Sequence, residues 1–232
     1  MRRGLRIVGT VLLAAGVGAV AWALTVWVWQ DPFTALYTKI QQHRLARQYD
    51  RFAAGYDAPS LANAPLPDVR RVITQEAREY RMTTHRGQPI GRIVIPRLHL
   101  NMVLVNGTDH DSLTKGPGRD LRTYMPGESR LVYIAGHRTT YLAPFSHIER
   151  LRRGDRVTLR MPYATFVYRI TRHRIVRADD LSVLRSPAHE LLELQACHPR
   201  FFATHRYIAY ALPLRVEPRR GRAYSATPAA TS

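Results

Sequence analysis

Residues 131–141 read Leu-Val-Tyr-Ile-Ala-Gly-His-Arg-Thr-Thr-Tyr. A short apolar run rich in β-forming residues is followed at once by a glycine and polar residues, which is typical of a buried strand that ends in a loop. Similar runs, separated by turn residues, recur from residue 87 onwards. This pattern predicts a mainly β domain, either a barrel or a sandwich, over residues 87–214.

The strands predicted for this domain are residues 92–95, 98–105, 131–135, 156–160, 165–171, 174–176, 191–196 and 206–212. One short helix is predicted around residues 145–151. The chain after residue 213 is rich in Arg, Pro, Ala, Ser and Thr and lacks the apolar periodicity needed for burial. Residues 215–232 are therefore predicted to form a disordered tail.

The amino-terminal segment has the length and composition of a membrane span. Residues 7–29 carry no charge, and a helix of that length covers roughly 35 Å, against about 30 Å for the apolar core of a bilayer. Basic residues precede it and tryptophans lie toward its far end: Arg2, Arg3, Arg6, Trp22, Trp27 and Trp29. The positive-inside rule then predicts a cytoplasmic amino terminus and an extracellular remainder.

A cleaved signal peptide is the alternative interpretation of this segment. Its apolar region would span about 7 to 15 residues and end in small residues. The apolar stretch here is longer, and residues 26–30 are bulky. We therefore predict a short cytoplasmic start and a retained single-pass anchor in the cell membrane over residues 1–30.

Residues 31–86 are predicted to connect the anchor to the β domain. Asp31 and Pro32 suit the N-cap and first position of a juxtamembrane helix, which we interpret as a stalk or packing helix. Proline-rich residues 56–67 predict a linker, and residues 69–82 predict another short helix.

The formal net charge of +18 raises nucleic acid or an anionic surface as a partner. However, the basic residues are almost all arginines and are scattered instead of forming a run or a helical stripe, so no nucleic-acid partner is expected. The chain contains no GxGxxG, P-loop or HExxH motif, so no cofactor is expected. The cluster Asp109-His110-Asp111 fits no metal-ligand spacing and is interpreted as a turn.

Cys197 is the single cysteine of the chain, which excludes an intramolecular disulfide and a zinc site built from several thiolates. It directly follows a predicted strand, where a side chain can emerge from a rigid strand end into a cleft. A nucleophilic cysteine needs a nearby cation or hydrogen-bond donor and a proton carrier. Arg206 opens the next predicted strand and could supply the charge. A small buried residue without a chemical role is the alternative for Cys197.

Any of the ten histidines could be the proton carrier. Position favours His137, because it also follows the end of a predicted strand. His198 and His205 are close to Cys197 in sequence, but neighbours on an extended strand point to opposite faces, and both are interpreted as loop residues. A solvated surface histidine is the alternative for each of the ten.

Several motifs in a fixed order resemble the sortase family, and more specifically the class E sortases of actinobacteria. They are Leu-Thr-Lys-Gly-Pro-Gly at 113–118, Pro-Gly-Glu at 126–128, Ala-Gly-His-Arg-Thr-Thr-Tyr at 135–141, Gly-Asp-Arg-Val at 154–157, Ala-Cys-His-Pro at 196–199 and Arg-Tyr-Ile at 206–208. Each motif is weak alone, whereas their order is specific. The resemblance implies an eight-stranded closed β-barrel and a catalytic site formed by His137, Cys197 and Arg206.

The resemblance also implies a reaction. A sortase cleaves the carboxy-terminal sorting signal of a secreted protein between Thr and Gly, holds the Thr end as a cysteine thioester, and passes it to an amine. Class E resemblance implies an LAxTG-type signal in preference to LPxTG and an amine from a peptidoglycan precursor. Water in place of the amine would give slow proteolysis.

One departure from the family pattern concerns the residues before the nucleophile. Family members usually carry Thr-Cys, whereas this chain has Gln195-Ala196-Cys197. The missing hydroxyl leaves an alternative open, namely a catalytically impaired sortase-fold protein that binds or scaffolds at the cell surface.

Overall fold

The computed structural model describes residues 2–28 and 32–226. Three long helices precede the β domain: α1 Arg2–Val28, α2 Pro32–Ala54 and α3 Leu66–Thr83. Within the β domain lie a short helix, α4 His110–Leu113, and three 3-10 turns at Pro96–Leu98, Ile148–Arg150 and Leu181–Leu184.

The strands are β1 Pro89–Ile95, β2 Leu100–Asn106, β3 Gly118–Arg119, β4 Leu131–Ala135, β5 Arg156–Arg160, β6 Ala164–Arg177, β7 Leu191–His198, β8 His205–Pro218 and β9 Tyr224–Ser225. They are hydrogen-bonded in the order β6-β5-β1-β2-β3-β4-β7-β8, and pairing between β6 and β8 closes the ring. The short β9 pairs with β8. The predicted eight-stranded closed barrel is therefore confirmed.

Side-chain alternation along β7 separates the barrel core from an outer face. Leu192, Leu194 and Ala196 point into the main core, whereas Gln195 and Cys197 line a cleft on the opposite side. Successive residues of a strand point to opposite faces of the sheet, so one strand contributes both to stability and to the cleft.

Most differences from the strand prediction concern short or irregular elements. The two strands predicted at 165–171 and 174–176 form the single strand β6, which is interrupted by register shifts at Val167/Tyr168 and Ile170/Arg172. The predicted helix at 145–151 is reduced to one 3-10 turn. The predicted turn at Asp109-His110-Asp111 is instead the start of α4, because the Asp109 carboxylate caps the helix by accepting from the Ser112 N–H at 3.1 Å.

The helices predicted on either side of the linker at residues 56–67 are present as α2 and α3, and both pack on the barrel instead of only connecting it to α1. The side chain of Gln42 in α2 hydrogen-bonds both backbone groups of Val103 and the carbonyl of Lys115. In α3, Ile73 and Ala77 are buried in the same cluster as the barrel interior. The domain therefore includes the chain before residue 87.

The carboxy-terminal segment is also more ordered than its composition indicates. β8 continues to Pro218, and residues 224–225 pair with Arg215 and Val216. The prediction of disorder is therefore wrong for residues 215–226, because cross-strand pairing stabilises a stretch without apolar periodicity. Residues 227–232 lie outside the described residues.

The helix α1 fits the predicted membrane span. Residues Arg3–Leu24 have a mean hydropathy of 2.2, and none of the span is buried against the rest of the protein. By length and composition this helix can cross a bilayer, although a signal sequence has the same properties. Trp29 and Asp31 lie outside the described residues.

Candidate active site

The three residues singled out from the sequence line one cleft on the outer surface of the barrel, with a volume of about 280 Å³. His137 lies two residues beyond the end of β4, Cys197 near the end of β7 and Arg206 near the start of β8. In the parallel β4–β7 pair, Ala135 is opposite Gln195. His137 and Cys197 each lie two residues beyond this pair, so both are at the same level of the sheet.

The β7–β8 ladder holds Cys197 and Arg206 side by side. The two residues are direct partners in this antiparallel pair, so their side chains share one face and their Cβ atoms are about 4.5 to 5.5 Å apart. Cys197 is a free, partly exposed cysteine. A thiol and a permanent cation thus stand next to each other at the cleft wall.

The guanidinium of Arg206 is oriented by backbone carbonyls. Its Nη1 donates to the carbonyl oxygens of Ala203 at 2.7 Å and His205 at 3.0 Å. Arginine carries five N–H donors in one plane, so these two bonds fix the plane and leave donors for a ligand. The charge can therefore bind an oxygen in the cleft without any proton transfer.

His137 occupies a shielded position in the cleft. Its ring centroid lies 5.0 Å from that of Tyr141, and its Nε2 is buried without a hydrogen-bond partner among the described residues. Burial lowers the pKa of His137, and repulsion from His110 lowers it further. This imidazole therefore becomes protonated at lower pH than an exposed histidine does.

Sequence reasoning missed Arg138, which joins the cleft to the rest of the barrel. This residue is only 6% exposed. Its Nη1 donates to the Cys197 carbonyl and to His198 Nδ1, each at 3.0 Å, and its Nη2 donates to Glu149 at 2.8 Å. Arg138 therefore fixes the backbone at Cys197. The sequence signal for Arg138 is its position directly after His137 in the motif of residues 135–141.

The interpretation of His198 and His205 as loop residues is wrong. They form the last pair of the β7–β8 ladder. Because they alternate with Cys197 and Arg206 along the strands, their side chains lie on the other face. His198 accordingly binds Arg138, so the exclusion of both histidines from the cleft holds for the reason given.

The remaining walls of the cleft combine apolar and charged groups. Tyr133 of β4 and Leu184 of the β6–β7 loop supply apolar surface. Arg122 forms an ion pair of 2.7 Å with the buried Asp120. No group of three or more His, Cys, Asp or Glu side chains among residues 2–28 and 32–226 is arranged to hold a metal ion.

Glu193 is a buried carboxyl group on the same strand as Cys197. It is 3% exposed, and its Oε2 has no hydrogen-bond partner within the described part of the chain. Burial raises the pKa of Glu193 to about 7, although Arg172 and Arg174 act in the opposite direction. The folded state therefore binds this proton more tightly than the unfolded state does, and stability is lost as the pH rises from about 4 through 7.

Replacing Glu193 by glutamine removes this titration. We expect the stability of Glu193→Gln relative to the native protein to increase by about 2 to 3 kcal/mol between pH 4.5 and pH 8, because one pKa unit corresponds to about 1.4 kcal/mol. Denaturant unfolding at both pH values measures the difference. Glu217→Gln, on the half-exposed carboxylate paired with Arg215, is the matched control. An equal effect of the two substitutions would contradict the prediction.

Similarity to known proteins identifies the family of this chain. A model of the sortase domain matches residues 93–214, which is more than half of the chain. The chain belongs to the sortase family. Its closed barrel is therefore that of a sortase.

Individual relatives come from more than one sortase class. Sortase D of Bacillus subtilis (strain 168) is 36% identical over 129 residues, which cover 53% of this chain and 63% of that protein. This sortase thus spans less than two thirds of the length of the curated relative it matches. The family assignment rests on the domain model, and the similarity to Sortase D does not decide the class.

Solved structures agree with the fold. A Clostridium perfringens Sortase D5 transpeptidase superposes with a TM-score of 0.61 at 22% identity, over 75% of this chain and 98% of that one. Sortase E from Streptomyces avermitilis superposes with a TM-score of 0.52 at 30% identity, over 58% and 93% of the two chains. Both class D and class E structures therefore share this barrel.

Proposed function

We propose that this sortase is a membrane-anchored cysteine transpeptidase whose catalytic domain lies outside the cell. The observation that carries the proposal is the position of Cys197 in one cleft with His137 and Arg206. A thiol, a proton carrier with a shifted pKa and a fixed cation are the groups that acyl transfer through a thioester requires.

The proposed reaction begins with attack of the Cys197 thiolate on the carbonyl carbon of the threonine in a sorting signal. The guanidinium of Arg206 binds the oxyanion of the tetrahedral intermediate. Protonated His137 donates its proton to the glycine nitrogen, the peptide bond breaks, and a thioester remains. An incoming amine then attacks the thioester and gives up a proton to His137, which restores the thiolate and the imidazolium.

The proposed substrates are secreted proteins with an LAxTG or LPxTG signal, and the proposed acceptor is an amine of a peptidoglycan precursor. A class E-like preference for LAxTG is part of the same proposal, supported by the quoted motifs. The helix α1 supports a single-pass anchor with a cytoplasmic amino terminus, because Arg2, Arg3 and Arg6 lie at its start.

The departure at Gln195-Ala196 weakens the proposal less than the sequence alone indicates. Ala196 is fully buried in the barrel core, so the side chain at this position does not border the cleft. Gln195 does line the cleft and keeps a polar group there. These contacts favour a working enzyme over the alternative of a catalytically impaired binding or scaffolding protein.

Cleavage of fluorogenic LAxTG and LPxTG peptides by the full chain in detergent tests the proposal. We expect cleavage between Thr and Gly, a transfer product when an amine is added, and a loss of both with Cys197→Ala. The same peptides with Thr and Gly exchanged control for adventitious proteolysis. Absence of turnover by a folded protein that still binds the peptides would favour the scaffolding alternative.

The proposed role of His137 predicts a pH dependence. Leaving-group protonation needs protonated His137, so activity falls as the pH rises through its lowered pKa. Because the charge of His110 lowers that pKa, His110→Asn is expected to move the descending limb of kcat/KM to higher pH. Profiles between pH 5 and 9 measure the shift, with His43→Asn, an exposed histidine of α2, as control. A limb that stays in place would argue against His137 as the acid.

A further inference from the structure

The helix α2 has two contrasting faces. On the side of the barrel, Thr38 is fully buried and its hydroxyl donates to the Thr114 carbonyl at 2.7 Å, and Leu45 is buried against β2. The opposite side exposes large apolar residues, with exposed fractions of 73% for Phe33, 59% for Leu36, 45% for Tyr37 and 46% for Ile40. These four follow the i, i+3, i+4, i+7 spacing of a single helix face. Core packing therefore does not explain them.

The location of this face points to a bilayer. The helix α1, which can span a membrane, ends at Val28 and α2 begins at Pro32. The ring centroid of Trp22, near the end of the candidate span, lies 5.6 Å from that of Phe33. The first turn of α2 is therefore level with the outer end of the span.

The residues around this face suit the boundary between lipid and water. Tyr37 carries both an aromatic ring and a hydroxyl, a combination that is enriched where acyl chains meet headgroups. Lys39, Arg44 and Arg47 are exposed along the same helix, and basic side chains beside an apolar helix face attract anionic headgroups.

We propose that the exposed face of α2 formed by Phe33, Leu36, Tyr37 and Ile40 is immersed in the headgroup region of the outer leaflet. The occupant of this face is the lipid surface itself. The inference rests on membrane anchoring by α1, which is part of the proposed function, and it adds a second contact that fixes the orientation of the barrel.

Membrane docking of α2 would place the candidate active site at the bilayer surface. Thr34, beside Phe33, accepts a hydrogen bond of 3.1 Å from the backbone N–H of Tyr141. Tyr141 in turn packs on His137. The loop that follows β4 is thus tied to the first turn of α2, so the cleft opens where membrane-held substrates and acceptors are concentrated.

Site-specific labelling of the full chain tests this placement. Cys197→Ala removes the only thiol, and Leu36→Cys or Ile40→Cys then introduces one for a bimane dye. The labelled protein is reconstituted into phosphatidylcholine vesicles that contain phosphatidylglycerol, and quenching is compared between shallow spin-labelled lipids and iodide. Met82→Cys, an equally apolar position of α3 that is 71% exposed, is the matched control.

We expect lipid quenchers to reduce the emission from positions 36 and 40 at least two-fold more than that from position 82, with the opposite order for iodide. Iodide quenching at all three positions in vesicle-bound protein would overturn the inference while leaving the anchor intact. Protection of positions 36 and 40 from both quenchers would mean that a second copy of the chain covers the face, which also overturns it. Failure of the protein to float with vesicles would overturn the anchor itself, and the inference with it.

Discussion

Replacing Arg206 by lysine is expected to lower kcat/KM for sorting-signal cleavage roughly 10²- to 10³-fold, the usual effect of losing one oxyanion donor. The guanidinium holds two backbone carbonyls through Nη1 and still offers donors to the cleft. A lysine ammonium is a single point charge on a flexible stem, so it cannot keep both carbonyls and also reach the oxyanion. Steady-state peptide cleavage measures the loss.

The control for this prediction lies on the same strand. Arg215→Lys changes an exposed arginine of β8 that pairs with Glu217, and its expected effect on kcat/KM is within a factor of two. The unfolding midpoint of Arg206→Lys should stay close to that of the native protein, because Arg206 contributes no core packing and a lost carbonyl hydrogen bond costs only about 1 kcal/mol. If Arg206→Lys retained more than a third of native activity, the proposed role in oxyanion binding would be wrong.

The positions of the cleft residues were predictable because each lies at or near the end of a predicted strand. β4 and β5 have the predicted bounds, because each is a short alternating or apolar run between clear turn signals. These ends, combined with the family resemblance, were sufficient to select His137, Cys197 and Arg206. The register that makes Cys197 and Arg206 direct partners was not readable from propensity, since it depends on long-range pairing.

Elements that depend on tertiary contacts were not predictable in the same way. β3 has only two residues and is defined by its pairing with β2 and β4. Arg138 is a second example, because an arginine in a motif gives no sign of whether its partner is a substrate, a carboxylate or a backbone carbonyl. Both are specified by neighbours that are distant in sequence, so local pattern carries little information about them.

The predicted start of the folded domain at residue 87 was too late for the same reason, because it depends on contacts between residues that are distant in sequence. The stretch 56–67 contains three prolines, and regular structure is indeed absent there until Leu66, where α3 begins with Pro67 in its first turn. Absence of regular structure does not imply a free linker, however. Leu61 is buried and forms a bridge with Gly221, so the stretch is held against the carboxy-terminal part of the domain.

A fragment limited to residues 87–214 is therefore expected to show no cooperative unfolding transition, whereas residues 32–226 should unfold in a single one. Removing α3 uncovers Tyr163 and Phe166, which share a core cluster with Ile73. Cutting after residue 214 removes the end of β8, where Val216 pairs with Phe166 of β6. Circular dichroism during thermal unfolding of the two fragments measures the difference.

The contribution of α3 to the stability of the barrel can also be measured with a single substitution in the full chain. Ile73 is 2% exposed in the main core, so Ile73→Ala should lower the free energy of unfolding by about 2 to 5 kcal/mol. Met82→Ala, at the exposed end of the same helix, should change it by less than about 0.5 kcal/mol. If α3 were only a tether, both values would be small and the fragment 87–214 would fold. A large difference between them would instead mean that the barrel needs the helix that precedes it.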